Sequence, residues 1–497
     1  MSTAPHTHPQ AQSRDWVSGG ISLLLLAGIG VVLGLQYMEP DKRMLGALAG
    51  LVVFGIAWRL DLVSGLGVLI LALPFPRSVS FGSTNIALIL LLAVIWLLRY
   101  SQRAAPPLRR TPLDAPIVAL ILAYVISFYN IDKLVAFDRG LMNFFMFLSC
   151  VIMFYLSVAN MRSEQDLKRV HLFQVVSIGV IYLFCAWELA FPGHVLIPGW
   201  IDLSKFTNPE LDVRNYRVGG PFFDYELLAE FTAMNLIFFI FLVAQAKSAT
   251  RRAIYAGFLL MTLFILFSTI TRGGMLALGV GMAYLLFVIR KRIQVVPFTI
   301  IGGVATAIFL ALSFYVAHFT KSGDVFARFQ KTQFVGLIPD SRAAVWPQAW
   351  GRWMQHPWIG WGPYYSVEHG LTLWYWPHCL LLFVGNNIGF VGVTFFLWFL
   401  FRMLRASIPT TDRLNDPSYS KAYLLAAHVQ LVIFLVDELK IEYLRNPIYQ
   451  FQIWVMFSML IATSLIVKQQ ARASQPAAEP VRPGRPLRSL THGLAGR

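Results

Sequence analysis

Long apolar runs set the first constraint on this chain. Stretches such as Ile21 to Leu35, Ala253 to Ser268 and Phe298 to Ala317 approach or reach the roughly 17–25 residues that carry a helix across bilayer hydrocarbon. With no water in that layer every backbone amide must bond internally, which leaves helices or a closed barrel. A barrel would show segments of about ten residues with alternating polarity. These runs are continuously apolar, so the spans are helices. Composition agrees: 57% of residues are hydrophobic and 13% charged, against about 45–50% and about 25% in soluble domains.

The pattern predicts an all-α polytopic membrane protein of about 12–14 spans, with helices near 17–36, 43–58, 62–75, 84–98, 114–129, 141–158, 170–190, 226–246, 253–269, 273–289, 295–317, 384–401, 421–437 and 447–467. Four regions follow: a cytoplasmic tail 1–16, N-terminal helices 17–190, a second membrane region 191–467, and a disordered basic cytoplasmic tail 468–497. The apolar run after Arg14 has no small-residue cleavage site behind it and more spans after it, so it reads as a first span rather than a removed signal.

Lys and Arg decide orientation. With the N-terminus inside, the inner loops carry Arg99, Arg103, Arg109 and Arg110, then Arg162, Lys168 and Arg169, then Lys247, Arg251 and Arg252, then Arg290, Lys291 and Arg292, then Arg402, Arg405 and Arg413. The early outer loops hold only Lys42, Arg43, Arg77, Lys133 and Arg139. The predicted location is a bacterial inner membrane, with the long connections 191–225 and 318–377, the short turn 270–272 and the segment 438–446 facing the periplasm. Loops as long as the first two are seldom idle. The net charge of +16 lies in clusters between spans, which is a membrane signature and not a nucleic-acid footprint. Cys150, Cys185 and Cys379 are too far apart in sequence for a CxxC metal site, and no disulfide framework is indicated.

Several residues on the outer side could carry chemistry. Arg214 and Arg217 precede Gly219-Gly220-Pro221, a turn signal, in the loop that ends at Asp224-Tyr-Glu226. Arg272 lies in Ser268-Thr-Ile-Thr-Arg-Gly-Gly274, which leaves almost no loop between two spans; an ionisable residue so near the membrane interior is costly and usually functional. Arg342 opens a segment in which Trp346, Trp350 and Trp353 recur at helical spacing. That spacing predicts a short interfacial helix with its aromatic face in lipid, stopped by Pro357 and followed by a turn at Gly360-Trp-Gly-Pro363. His378 follows Pro377 at the mouth of the next span, and an imidazole is a usable base near neutral pH.

Taken in order, Arg217-Val-Gly-Gly-Pro-Phe222, Thr271-Arg-Gly273, Arg342…Trp346 with His356-Pro-Trp-Ile-Gly-Trp-Gly-Pro363, and Pro377-His378 followed by Gly389-Phe-Val-Gly392 resemble the O-antigen ligases and Wzy-type polysaccharide polymerases. The resemblance implies a glycosyltransferase of cell-surface polysaccharide assembly. It would move a glycan from undecaprenyl diphosphate to an acceptor hydroxyl, either of lipid A-core or of another lipid-linked glycan, without metal or cofactor. It further implies that Arg217 and Arg272 bind the diphosphate, with Arg214 and Arg342 as further candidates, and that His378 is the base. Where the family usually has Asn after this His, Cys379 stands here.

Two rival functions fit less of the sequence. A polyprenyl-phosphate sugar transferase with an acidic motif would use Asp224-Tyr-Glu226 or Glu39-Pro-Asp41, although no Asp-x-Asp occurs. A lipid-linked sugar transporter would show internal repeats and broken helices. The orientation is testable directly: a Cys at Lys321 is expected to react with a membrane-impermeant thiol reagent from outside, and one at Arg109 is expected not to.

Overall fold

The computed structural model describes residues 55–56, 58–75, 78–79, 82–131, 134–191, 217–292, 295–319, 330, 334–335, 338–363, 376–408 and 418–474. Thirteen helices of nine or more residues lie among them: α1 Leu62–Ala72, α2 Thr84–Ser101, α3 Asp114–Ser127, α4 Leu134–Asn160, α5 Glu164–Ala190, α6 Tyr225–Gln245, α7 Ala249–Ser268, α8 Arg272–Ile289, α9 Val295–Phe319, α10 Val345–Trp353, α11 Leu380–Ser407, α12 Tyr419–Asp437 and α13 Pro447–Ala473. Ten are long and apolar enough to cross a membrane, and α1 and α3 are shorter apolar helices. The protein is an all-α, multi-pass membrane protein. Two hairpins of two residues per strand are the only β-structure among the described residues.

The expected spans 17–36 and 43–58, Arg214, Lys321 and residues 475–497 lie outside the described residues, save for positions 55, 56 and 58. Each of the twelve other expected spans coincides with a helix. The boundaries move where polar residues prolong a helix. Helix α4 begins at Leu134, so Arg139 lies within it, and α13 runs to Ala473, past the expected start of the tail.

Side-chain caps begin several helices. Asp61 accepts from Ser64 N and starts α1; Ser163 and Asp166 form a reciprocal capping box on α5; Ser248 starts α7; Asn446, followed by Pro447, starts α13. Each satisfies amides that the first turn leaves unpaired.

Hydrogen bonds between connections define two ends of the bundle. At one end Val218 N bonds Ser268 O (3.3 Å) and Leu380 N bonds Glu438 O (3.0 Å), while Asn446 Nδ2 donates to Phe222 O (2.6 Å). At the other, Ser420 N reaches Glu164 (3.3 Å) and Arg402 Nε reaches Pro112 O (3.1 Å). The centre is α13 packed on α4, α11 and α12, with α6 against α7, α8 and α12. Phe434, Phe451, Trp454 and Phe457 fill this core. The outer helices instead expose large apolar residues, such as Leu276 and Phe287 on α8 and Leu310 and Phe314 on α9, as lipid-facing surfaces do.

Polar side chains join the central helices. His428 lies between Tyr284 Oη (3.0 Å) and Ser407 Oγ (2.7 Å), and Tyr182 Oη meets Thr262 Oγ1 at 2.6 Å. Such bonds are worth about 0.6 to 2 kcal/mol each between membrane helices.

The Trp segment departs from its expected role. Helix α10 forms and ends before Pro357, but Trp353 is buried, its ring tilted against Phe390 (4.4 Å between centroids), while Trp350 is half exposed. The stripe therefore packs partly on α11 rather than wholly in lipid. Helix α11 is broken at Gly389, whose φ is +66°. The backbone of 357–362 docks at the break: Phe390 N donates to Pro357 O (2.8 Å) and Trp361 N to Asn386 O (2.8 Å). Neighbouring chain re-satisfies the freed amides, the condition under which a broken membrane helix is tolerated.

A Cβ at Gly389 would collide with the Trp358 backbone, and its positive φ already disfavours any side chain. Gly389→Ala is expected to lower stability by about 1–3 kcal/mol. Thermal unfolding in detergent would reveal the loss.

Candidate functional site

The site is assembled where five connections meet at one end of the bundle. Three of them turn through a non-glycine residue in the left-handed region: Phe223 (φ +51°), Ile270 (φ +50°) and His378 (φ +47°). Such residues are uncommon, and each directly precedes a group at the site or is one. Phe223 leads into Asp224 and Glu226, Ile270 into Thr271 and Arg272, and His378 is itself at the start of α11.

Arg445, in the short turn before α13, is the hub. Its Nη2 lies 2.6 Å from Asp224 Oδ2 and 3.1 Å from Glu226 Oε2, and its Nη1 lies 3.4 Å from Glu442 Oε1. Burial opposes the guanidinium charge, yet these carboxylates together hold its pKa above the ordinary value. Asp224 also caps α6, accepting from Glu226 N (2.9 Å) and Leu227 N (3.2 Å). Glu226 takes Arg342 Nη2 on its other oxygen at 3.1 Å. Burial pushes the Glu442 carboxyl above its usual range, an effect that Arg445 and His378 offset only in part.

His378 joins this network through one ring nitrogen. Nδ1 is 2.9 Å from Arg445 Nη1 and 3.2 Å from Glu226 Oε2. The two contacts cannot both be hydrogen bonds. The guanidinium only donates, so it needs a lone pair on Nδ1, whereas the carboxylate needs a proton there. Glu226 and Arg445 thus compete to set the tautomer, and with it the state of Nε2. Cys379, next in sequence, makes no side-chain cap for α11, and burial pushes its thiol up.

Arg217 stands beside this cluster. Its guanidinium carbon is 3.1 Å from the centre of the Tyr225 ring, with Nε donating to Thr269 O (3.0 Å) and Nη2 to Thr271 Oγ1 (2.9 Å). Glu188 fixes the turn that follows by accepting from Gly220 N (2.7 Å). Arg272 is the first residue of α8, adjacent to the Thr271 that Arg217 bonds. Of the residues singled out from the sequence, Arg217, Arg272, Arg342 and His378 therefore gather in one region, linked through Tyr225 and Glu226.

The acidic pair Asp224 and Glu226, the motif of the rival sugar transferase, is engaged by Arg445 and Arg342; Glu39 and Asp41 lie outside the described residues. Among the described residues no group of three His, Cys, Asp or Glu is arranged to hold a metal ion. Sequence reasoning missed Arg445 and Glu442. Their signal was a charged stretch, Asp437-Glu-Leu-Lys-Ile-Glu-Tyr-Leu-Arg445, packed into a short outer turn between two spans.

A cluster of guanidinium, imidazole and carboxylate groups thus lies at the ends of helices long and apolar enough to cross a membrane. Residues 234–397, about a third of the chain, match the family model described as O-Antigen ligase. That stretch is similar to the O-antigen ligase family, which points in general to glycosyl transfer of ligase or polymerase type. The matched stretch contains Arg272, Arg342 and His378, and leaves out Arg217, Glu226 and Arg445. No curated protein matches the chain.

Removing Arg445 would leave three carboxylates without their shared partner. Arg445→Gln is expected to cost about 3–5 kcal/mol. Glu442, with its folded-state pKa already raised, binds its proton more tightly folded than unfolded. Its contribution therefore favours folding at acid pH and is lost as pH rises through the folded value. The Arg445→Gln deficit relative to wild type should accordingly shrink from pH 8 to pH 5, as detergent-solubilised unfolding would measure.

Proposed function

We propose that the protein transfers a glycan from undecaprenyl diphosphate to an acceptor hydroxyl, at the periplasmic face of a bacterial inner membrane. The observation that carries this reading is the convergence of His378 with Arg217 and Arg272, from connections far apart in sequence, at one end of the bundle. Glycosyl transfer from a diphosphate needs two things: stabilisation of charge developing on the leaving phosphate, and removal of a proton from the attacking hydroxyl. Guanidinium groups present planar, paired donors to phosphate oxygens, and an imidazole supplies the base.

Orientation rests on charge. The end opposite His378 carries Arg109, Arg162, Lys168, Lys247, Arg251, Arg252, Arg290 and Arg402, the excess that marks a cytoplasmic side. The site end is then periplasmic, which suits a donor whose glycan has crossed the membrane.

In the mechanism, the acceptor hydroxyl gives its proton to Nε2 of His378 as its oxygen attacks the donor's anomeric carbon. The bond from that carbon to the diphosphate oxygen breaks, and Arg217 and Arg272 hold the leaving diphosphate. For Nε2 to accept, Nδ1 must carry the proton and donate it to Glu226. Glu226 also stabilises the imidazolium that forms, while Arg342 and Arg445 keep its carboxylate in place. A proton-relay carboxylate of this kind acts through the histidine, so it is a positioning residue.

Transfer from purified undecaprenyl-diphosphate glycan tests the assignment. His378→Ala should lower the rate by about a hundred- to ten-thousandfold while donor binding persists. Glu226→Gln should lower kcat in the wild-type background and add nothing in a His378→Ala background, since both act at one step. Arg272→Lys and Arg217→Ala should lose most transfer while still inserting, because a paired contact to diphosphate tolerates Lys poorly. Transfer should persist in a chelator. Full activity of His378→Ala, or loss on chelation with recovery on adding a divalent ion, would overturn the mechanism.

A further inference from the structure

The glycine of Thr271-Arg-Gly273 has a specific neighbour. A Cβ at Gly273 would coincide with Cε and Nζ of Lys440, so the lysine side chain lies across the backbone of the residue that follows Arg272. Lys440 belongs to the turn after α12, and its Nζ is 2.9 Å from Oδ1 of Asp437, which is fully buried. The lysine side chain itself keeps 29% of its surface exposed, so it is not sealed in with its partner. The same turn meets the start of α11 through Leu380 N and Glu438 O (3.0 Å) and carries Arg445 to His378 a few residues later. Lys440 thus lies against the start of α8, on the turn that also carries Arg445.

Charge at the site is unevenly distributed. Arg342 and Arg445 face Asp224, Glu226 and Glu442, three carboxylates against two guanidinium groups. These carboxylates already engage Arg342 and Arg445, so a cation beside Arg272 is the one placed to add to an oxyanion site there. An ammonium has three N–H donors; one suffices for Asp437, and the others can reach an oxyanion.

We propose that Lys440 is a further diphosphate-binding residue, and that position 273 is glycine because a side chain there would evict it. The inference rests on the reading of the site as a diphosphate site. It explains a motif residue that has a negative φ and so needs no glycine for conformation, since Gly273 is absent from the positive-φ positions.

Binding of undecaprenyl diphosphate to the purified full-length protein is the test, with undecaprenol, which lacks phosphate, as the reference ligand. Lys440→Gln should weaken diphosphate binding roughly ten- to hundredfold, the scale of a hydrogen bond to a charged group, and leave undecaprenol binding unchanged. Gly273→Ala should reproduce the loss, and the Gly273→Ala, Lys440→Gln double variant should be no weaker than either single. If Lys440 serves only to neutralise Asp437, the pair Lys440→Gln, Asp437→Asn will bind like wild type, and that result overturns the proposal. The pair also provides the measurement if Lys440→Gln alone fails to fold. Wild-type protein that does not bind undecaprenyl diphosphate would overturn the reading of the site itself, whereas a wild type that binds and a Lys440→Gln that binds equally would overturn this inference alone.

Discussion

A single buried guanidinium ties the functional end of this protein together. Arg445 is reached by Asp224 at the start of α6, by Glu226 in its first turn, by Glu442 on its own turn and by His378 at the start of α11. Taking charges out of water costs several kcal/mol per ion, and attraction compensates only where geometry supplies partners for each. Here the partners come from three connections that together span more than two hundred positions of sequence. The loop that brings Asp224, the turn that brings Arg445 and the strained residue that presents His378 must all be in register for any of them to be satisfied.

The same network bears on reactivity. A histidine whose Nδ1 faced only a carboxylate would be held in one tautomer, and one facing only a guanidinium would be held in the other. His378 faces both, so the protonation of Nε2 follows from the balance between Glu226 and Arg445. The carboxylates around His378 are engaged by Arg342 and Arg445, and Lys440 is engaged by Asp437. Of the four positive-φ non-glycine residues among those described, Phe223, Ile270 and His378 lie in this region and Arg103 lies at the opposite end, in keeping with the tendency of such strain to collect at functional sites.

The rest of the bundle supplies rigidity. The break in α11 at Gly389 is filled by the 357–362 backbone and backed by Trp353 and Phe390, so the span that begins at His378 is fixed at its upper half rather than free to pivot. The aromatic residues that looked like a lipid anchor are shared between that packing and the exposed face of α10. A helix period of 3.6 specifies which residues lie on one side, but not which neighbour that side meets.

Hydrophobic runs and their flanking caps are local properties. The twelve spans within the described residues, the membrane class, the alternation of the two ends and the individual candidates Arg217, Arg272, Arg342 and His378 were therefore legible from sequence alone. The partners of those residues were not. Asp224 and Glu226 stand in the sequence only as an acidic motif of a rival function, and nothing there pairs them with Arg445 and Arg342 or sets Lys440 against Gly273. Ion pairing across a bundle depends on distance in space, which periodicity does not encode. The sequence determined which helices exist and which groups stand at their ends, and only tertiary packing decided which of those groups face one another.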